Sequence, residues 1–385
     1  MKKIFLLGML IGLLAGSWCS AQQTAAPAGK IAPRPLYRDP PFNAPTDPVL
    51  CFNAESNKWF MYYTARRGSA TDAPGVTWIH GSNIGMAESS DGGATWTYRG
   101  TADIGYGKQE HPKDYTYWAP EVIWVEGTYH MFLTFVPGIF NDWNHPREIV
   151  HLTSKDGVKW DTIGQVDLKS DRVIDACVIQ LPGGFWRMWY KDERKEKSLS
   201  YADSSDLVHW EPRGNAVTDF NGEGPKVIHW QGRYWLIADC WANGMRVWSS
   251  DDATSWKLQE NPLFGSHGDV VISGGRAWWF YFGGNRRAPG ANARPAAAPA
   301  TAAAAAPAPA EAPIVAATPP SPPTPPAPPT PPSATAATPA APAAPRGRSA
   351  MINVVELSVV DGVLRAGDPA APTYIDLKPV RELEK

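Results

Sequence analysis

Three acidic residues, Asp47, Asp175 and Glu223, stand at the starts of short apolar segments that are far apart in the sequence. Asp175 lies between Val173-Ile174 and Ala176-Cys177, where an unpaired carboxylate would be costly to bury. The repeated placement of such costly groups favours a functional role. Two carboxyl groups facing each other across a pocket can act as a general acid and a general base, which is the chemistry that hydrolyses a glycosidic bond.

The segments that carry these residues belong to an internal repeat between residues 47 and 284. Each copy consists of a short β-branched stretch, a turn and a stretch rich in aromatic residues, which is the pattern of a β-hairpin. The five copies begin at Asp47, Ala119, Asp175, Glu223 and His267.

A second element follows the first four hairpins and reads Ser-x-Asp, with a Trp four or five residues after the Asp. We interpret it as a structural turn between a third and a fourth strand, in which the Ser or Asp side chain bonds the local backbone. The four copies are at residues 89–91, 154–156, 204–206 and 249–251. Four short strands per unit and a period of about 45 to 70 residues predict an all-β, single-domain, five-bladed β-propeller.

In a propeller, the first strand of each blade lines the central channel. The residues at the starts of the first strands should therefore converge on one mouth of the channel. They are Asp47, Glu121, Asp175, Glu223 and His267 with Asp269.

The fifth blade is interrupted by residues 285–349, which are dominated by Ala and Pro. This composition cannot bury a core and predicts a disordered insert. The sequence resumes at Met351 with two further strand-like stretches, so the predicted catalytic domain comprises residues 34–284 plus 350–378. The insert is then a loop within one domain.

Residues 1–21 have the features of a signal peptide: two lysines, an apolar run and small residues at the cleavage site. The apolar run is too short to span a bilayer, so we expect no membrane insertion. We predict a secreted or periplasmic protein. A lipid-modified Cys19 is an alternative, although Ser17 and Trp18 fit that processing site poorly.

The composition narrows the choice of partners. The 36 basic and 38 acidic residues give a net charge of −2, so no basic surface is available for nucleic acid. The chain has 18 Trp, 13 Tyr and 12 Phe, whose rings pack in β cores and also stack on sugars. Cys51, Cys177 and Cys240 lack metal-ligand spacing and are expected to be free thiols, or to form at most one disulfide. We expect a monomer that binds an oligosaccharide or polysaccharide.

The order of the motifs resembles glycoside hydrolase family 43 and its clan relatives over nearly all of the chain outside the insert. The motifs are Asp47-Pro48-Val49, Tyr117-Trp118-Ala119-Pro120, Ile174-Asp175, Glu223-Gly224-Pro225 and His267-Gly268-Asp269-Val270. The resemblance implies that Asp47 is the general base, that Asp175 raises the pKa of the acid and orients it, and that Glu223 is the general acid. It also implies inversion at the anomeric carbon.

The resemblance further implies that His267 is a candidate ligand for a structural calcium ion at the channel centre, while no cofactor is required for the reaction. We expect Trp118, Glu121 and His267 to contact the substrate. Two departures from the family pattern, Ala176 where proline is usual and Glu121 where Asp is common, suggest a divergent branch.

The leading hypothesis is an exo-acting hydrolase that removes a terminal pentose-type sugar, arabinofuranosyl or xylosyl, or a related unit. A non-catalytic glycan-binding propeller is the alternative from another class. A sialidase would need a cluster of inner-strand arginines that this chain lacks. An invertase-like enzyme would carry Arg-Asp-Pro in the middle of the chain, whereas Arg38-Asp39-Pro40 precedes Asp47.

Overall fold

The computed structural model describes residues 29–70, 73–284 and 348–379. Within these ranges the regular structure is β-strand, apart from a short 3-10 helix at Trp241–Asn243. Five sheets of four or five strands follow one another along the chain, and the predicted all-β five-bladed propeller is confirmed. The predicted signal peptide and residues 285–347 of the predicted insert lie outside the described residues.

The strands are numbered in chain order. Blade 1 contains β2 (Pro45–Asn53), β3 (Lys58–Ala65), β4 (Asn83–Ser89) and β5 (Thr97–Thr101). Blade 2 contains β6 (Asp103–Ile104), β7 (Thr116–Val125), β8 (Thr128–Val136), β9 (Glu148–Ser154) and β10 (Lys159–Gln165). Blade 3 contains β11 (Val173–Gln180), β12 (Trp186–Asp192), β13 (Leu199–Ser204) and β14 (Glu211–Val217). Blade 4 contains β15 (Glu223–Trp230), β16 (Arg233–Asp239), β17 (Met245–Ser250) and β18 (Lys257–Leu258). Blade 5 contains β19 (Gly268–Ser273), β20 (Arg276–Gly283), β21 (Met351–Val360) and β22 (Val363–Ala366), and a separate pair is formed by β1 (Lys30–Ile31) and β23 (Tyr374–Ile375).

The first strands of the blades form a closed ring. Strand β2 contacts β7, β7 contacts β11, β11 contacts β15, β15 contacts β19, and β19 returns to β2. Residues that are distant in sequence are thereby brought around one channel, as a propeller requires.

The second strand of each blade is buried on both faces. In β20, Trp278 and Phe280 pack against blade 1, whereas Trp279 and Tyr281 pack against blade 4. Because successive side chains of a strand point to opposite faces, a continuous aromatic run supplies apolar surface to two blade interfaces at once. This accounts for the aromatic second strands of the repeat. The three cysteines in the described ranges are free and buried in these cores, as predicted.

Blade 5 is assembled from two separate stretches of the chain. Strand β20 pairs with β21 from Gly283↔Met351 to Ala277↔Leu357, so the residues on either side of the Pro/Ala-rich segment are direct neighbours in the sheet. The N-terminal segment adds to the same region, because Tyr37 forms a β-bridge with Ile352 and β1 pairs with β23. No helix among the described residues is long and apolar enough to cross a membrane.

The Ser-x-Asp elements are turns, and their hydrogen bonds explain the motif. In blade 3, the Ser204 hydroxyl accepts a bond from the backbone N–H of Leu207, and Oδ1 of Asp206 accepts bonds from the N–H groups of Val208 and His209. The indole of Trp210 donates to the carbonyl of Leu207.

The predicted turn position in blade 4 is wrong by one residue. There the Ser250 hydroxyl bonds Oδ1 of Asp252, which accepts bonds from the backbone of Thr254 and Ser255. The motif therefore runs from Ser250 to Asp252 rather than over residues 249–251. The consecutive serines and aspartates at this point allow both registers in the sequence, and only the hydrogen bonds distinguish them.

We predict that Asp206→Ala lowers the free energy of unfolding by about 1 kcal/mol, because two backbone N–H groups lose their acceptor at a solvent-exposed turn. Urea unfolding measures the change. Asp161→Ala, at an exposed position on β10, is the matched control and should leave stability unchanged. Equal effects of the two substitutions would contradict a structural role for the turn.

Candidate active site

Four of the five inner strands share a backbone distortion at the channel mouth. A β-bulge interrupts the pairing of β2 between Thr46 and Val49, and equivalent bulges occur in β7, β11 and β15. One residue in each bulge has a positive φ: Asp47 (53°), Ala119 (41°), Asp175 (59°) and Gly224 (58°). This conformation is unusual for residues other than glycine, and Asp tolerates it better than most. Bulges of this kind re-aim side chains next to active sites.

A buried threonine of the preceding blade holds the bulge in two cases. The backbone N–H of Ala119 donates to Oγ1 of Thr64 at 2.8 Å, and the N–H of Asp175 donates to Oγ1 of Thr134 at 3.1 Å. Both threonines lie at the ends of aromatic second strands and are fully buried. The position of Asp175 is thus fixed by a neighbouring blade as well as by its own strand.

The sequence-predicted carboxylates do not all occupy the same position in their blades. Asp47 and Asp175 are the positive-φ residues of their bulges, whereas Glu223 immediately precedes the bulge of β15. Glu121 follows the bulge of β7 and corresponds to Val49, Cys177 and Lys226 in the other blades. The prediction of one shared position is therefore wrong for Glu223 and Glu121, because a bulge adds residues that a simple strand alignment does not count.

All five blades line one small cavity. Its lining residues are Asp47, Pro48, Val49, Ala119, Pro120, Glu121, Asp175, Ala176, Gly224, Pro225, Lys226, His267 and Gly268.

Trp118 is not among these lining residues. Its indole donates to the carbonyl of Ile79, and its ring packs against His80. These contacts give Trp118 a packing role and lend no support to its predicted contact with substrate.

Asp47 is buried and surrounded by groups that stabilise its ionised form. Its Oδ1 lies 2.8 Å from Nε2 of His267, and its Oδ2 accepts a bond from Oγ1 of Thr46 at 2.9 Å. The Arg66 guanidinium is 3.5 Å from the same Oδ2. Burial alone would raise the pKa of Asp47, but the charges of His267 and Arg66 outweigh it and lower the pKa below its usual value. Asp47 is therefore an ionised carboxylate, as a general base must be.

His267 is the cationic partner in this pair. Burial opposes its charge, but Asp47 and, more weakly, the other pocket carboxylates raise its pKa to about 10. Gly224 packs closely against the ring: a Cβ atom at this position would lie 2.0 Å from Nδ1 of His267. Nε2 of His267 thus faces Asp47 and Nδ1 faces Gly224, and the role of His267 as a metal ligand stays a prediction. The described residues contain no cluster of three or more His, Cys, Asp and Glu side chains arranged to hold a metal.

Asp175 has the opposite electrostatic environment. Its Oδ2 accepts a bond from the backbone N–H of Gly224 at 2.9 Å. Burial raises the pKa of Asp175, His267 opposes the shift, and the charges of Glu223 and Asp47 add to it, so that the pKa reaches about 7. The two aspartates of the pocket therefore differ: Asp47 is ionised, whereas Asp175 retains a proton up to neutral pH. Such a difference is expected of an acid/base site.

Glu223 begins β15 and is partly exposed. Its charge acts on both Asp175 and His267, although Glu223 is not among the residues that line the cavity. It also acts on Arg147, whose side chain is 2% exposed and lies 2.8 Å from Glu193. The sequence did not point to Arg147, which follows a loop, or to Glu193, which directly follows β12, because neither belongs to a repeated motif.

A second charged group lies further along the inner strands. Nζ of Lys226 is 3.2 and 3.1 Å from the two carboxylate oxygens of Glu121 and 2.7 Å from Oδ1 of Asp269. Glu121 is therefore held by Lys226 at one end of the cavity, and its predicted contact with substrate remains a prediction.

No protein-family model and no curated protein matches the sequence. Solved structures do match. A thermostable family-43 glycoside hydrolase shares 16% identity at a TM-score of 0.58, over 89% of this chain and 99% of the other. This chain has the fold of the family-43 glycoside hydrolases.

Two further structures support the same fold. A family-43 β-xylosidase/α-arabinofuranosidase from a compost microbial metagenome, in complex with xylotriose, shares 14% identity at a TM-score of 0.55, over 90% of this chain and 100% of the other. A family-43 protein from Bacillus licheniformis shares 14% identity at a TM-score of 0.55, over 91% of this chain and 60% of the other. The fold implied by the sequence motifs is confirmed.

We predict that Asp175→Asn stabilises the protein at pH 8 and not near pH 4. The folded-state pKa of Asp175, about 7, lies above the unfolded value of 3.8, so the protonated carboxyl contributes stability at low pH that is lost as the pH rises through 7. An asparagine cannot ionise, and the gain at pH 8 should be about 4 kcal/mol. Urea unfolding at both pH values, with Asp161→Asn as control, measures it. An equal stability of Asp175→Asn and wild type at pH 8 would refute the raised pKa.

Proposed function

We propose that this chain is a glycoside hydrolase that removes terminal sugars from oligosaccharides or polysaccharides by a single displacement. Asp47 acts as the general base on water and Glu223 as the general acid on the leaving oxygen. The observation that supports this most strongly is that Asp47 and Asp175 line one small cavity and differ in protonation state, while the charge of Glu223 acts on Asp175.

Each residue has a distinct role in the proposed reaction. Asp47, kept ionised by His267, removes a proton from the attacking water. Asp175, on which the charge of Glu223 acts, is the group that orients the acid. Protonation of the leaving oxygen by Glu223 and attack by water on the opposite face invert the anomeric carbon.

The cavity also supports a proposal about the substrate. A small cavity lined by all five blades suits one terminal sugar better than the middle of a chain. The similar structure with xylotriose belongs to an enzyme described as a β-xylosidase/α-arabinofuranosidase. We therefore propose an exo-acting enzyme for arabinofuranosyl, xylosyl or related units. We further propose that the protein is exported to the periplasm or the medium and acts there as a monomer.

The proposed function is tested by screening the purified protein against nitrophenyl glycosides and oligosaccharides, with NMR of the first-formed anomer. The proposal expects hydrolysis of a pentoside and an inverted product. Binding of an oligosaccharide without turnover of any substrate would instead identify a glycan-binding propeller. A retained anomer would exclude the single displacement.

We predict that Glu223→Ala reduces hydrolysis of oligosaccharides by about 10²- to 10⁴-fold, which is the usual contribution of a general acid. The same variant should retain more activity on nitrophenyl glycosides, because nitrophenolate departs without a proton. Steady-state rates on both substrate types make the comparison. Glu211→Ala, on the outer strand of blade 3, serves as the control.

We predict that Asp47→Ala abolishes activity on both substrate types, because water must be activated whatever the leaving group. The ratio of the rates on oligosaccharides and on nitrophenyl glycosides therefore distinguishes the role of Glu223 from that of Asp47. A Glu223→Ala variant with equal losses on both substrates would argue against its role as the acid, and a fully active Asp47→Ala variant would argue against the base.

A further inference from the structure

Lys226 lies in the channel at the point where two carboxylates from other blades converge. Glu121 comes from blade 2 and Asp269 from blade 5, and their side chains are 6% and 4% exposed. The Lys226 side chain is 12% exposed, and its ammonium contacts three carboxylate oxygens at 2.7 to 3.2 Å. An ammonium has three donors, and each is matched to one of these oxygens.

The remaining carboxylate bonds extend this group to the other two blades. Oδ2 of Asp269 accepts a bond from the backbone N–H of Leu50 in blade 1 at 2.8 Å. Oε1 of Glu121 accepts a bond from the N–H of Val178 in blade 3 at 3.2 Å. One set of three charged side chains therefore bonds the inner strands of all five blades.

Two buried carboxylates at the centre of a channel need a cation. Without one, they would repel each other and remain poorly solvated, which is strongly unfavourable. Carboxylate oxygens are also the ligands that Ca²⁺ prefers, at 2.3 to 2.6 Å. In this chain the space between the two carboxylates is taken by the ammonium of Lys226, so the calcium ion expected at the channel centre does not fit there.

We propose that Lys226 is a built-in replacement for a divalent cation, so that the propeller is held together at its centre without a metal. The amino group carries one positive charge where a calcium ion would carry two, and it is delivered by the chain itself. The protein is accordingly insensitive to chelators. Removal of the lysine side chain exposes the two carboxylates and creates a divalent-cation site.

The first test uses the wild-type protein alone. Its metal content after dialysis, measured by mass spectrometry, should be substoichiometric, and its melting temperature should be the same in EDTA and in calcium. Stoichiometric calcium, or a melting temperature that falls in EDTA, would overturn the proposal whatever the variants do.

The second test substitutes the lysine. Lys226→Met keeps the aliphatic stem and removes the charge, and in EDTA its melting temperature should fall by about 10 °C, since a buried carboxylate pair loses its partner. Calcium should restore a large part of this loss by binding the folded state alone. A Lys226→Met protein whose melting temperature ignores calcium would contradict the proposal.

Two controls complete this test. Lys58→Met removes a partly exposed lysine that is 2.7 Å from Glu88 on the outside of blade 1, and it should show neither the large loss nor the response to calcium. The double variant Lys226→Met with Glu121→Gln lacks one of the two charges and should respond to calcium much less than Lys226→Met. An equal response of the two would place the calcium site elsewhere and refute the assignment.

Discussion

The ion pair between Asp47 and His267 sets the charge state of the whole pocket. Three carboxylates around a cavity of this size cannot all remain ionised without compensation. His267 lies 2.8 Å from Asp47, and together with Arg66 it keeps that aspartate ionised despite its burial. Asp175 is bonded by the backbone of Gly224 instead of by a cation, and its pKa rises. Without this asymmetry, the pocket would contain equivalent carboxyls and no defined base.

The pair depends on backbone geometry that the propeller repeats. The bulges that give Asp47 and Asp175 a positive φ direct both side chains into the channel, and Thr134 of the preceding blade fixes the bulge of Asp175. Gly224 has two functions, because its N–H bonds Asp175 while its missing side chain leaves room for His267. Further along the same strands, Lys226 with Glu121 and Asp269 fixes how the five inner strands meet. The geometry of the site is therefore a consequence of how the blades are joined.

The sequence predicted the fold well, because both faces of each second strand are buried and the resulting aromatic runs recur at a regular spacing. It also predicted that Asp47, Asp175 and Glu223 would converge. It did not predict the partners of these residues. The pairing of His267 with Asp47 depends on blades 1 and 5 being neighbours around the ring. The pairing of Lys226 with Glu121, two blades apart, depends on side chains meeting across the channel and on bulges that shift the register. No local pattern in the sequence indicates that Lys226 is buried. The position predicted for Glu121 was wrong because of the bulge in its strand.

The central claim is that the pocket holds one ionised aspartate, Asp47, and one that remains protonated up to neutral pH, Asp175. The most direct measurement is a pH titration of side-chain carboxyl carbons by NMR on protein labelled at aspartate, with Asp47→Asn and Asp175→Asn used to assign the signals. We predict that the Asp175 signal titrates near pH 7 and that Asp47 shows no protonation until far lower pH. An Asp175 signal that titrates near the ordinary value of 3.8, or an Asp47 signal that titrates near neutral pH, would contradict the account.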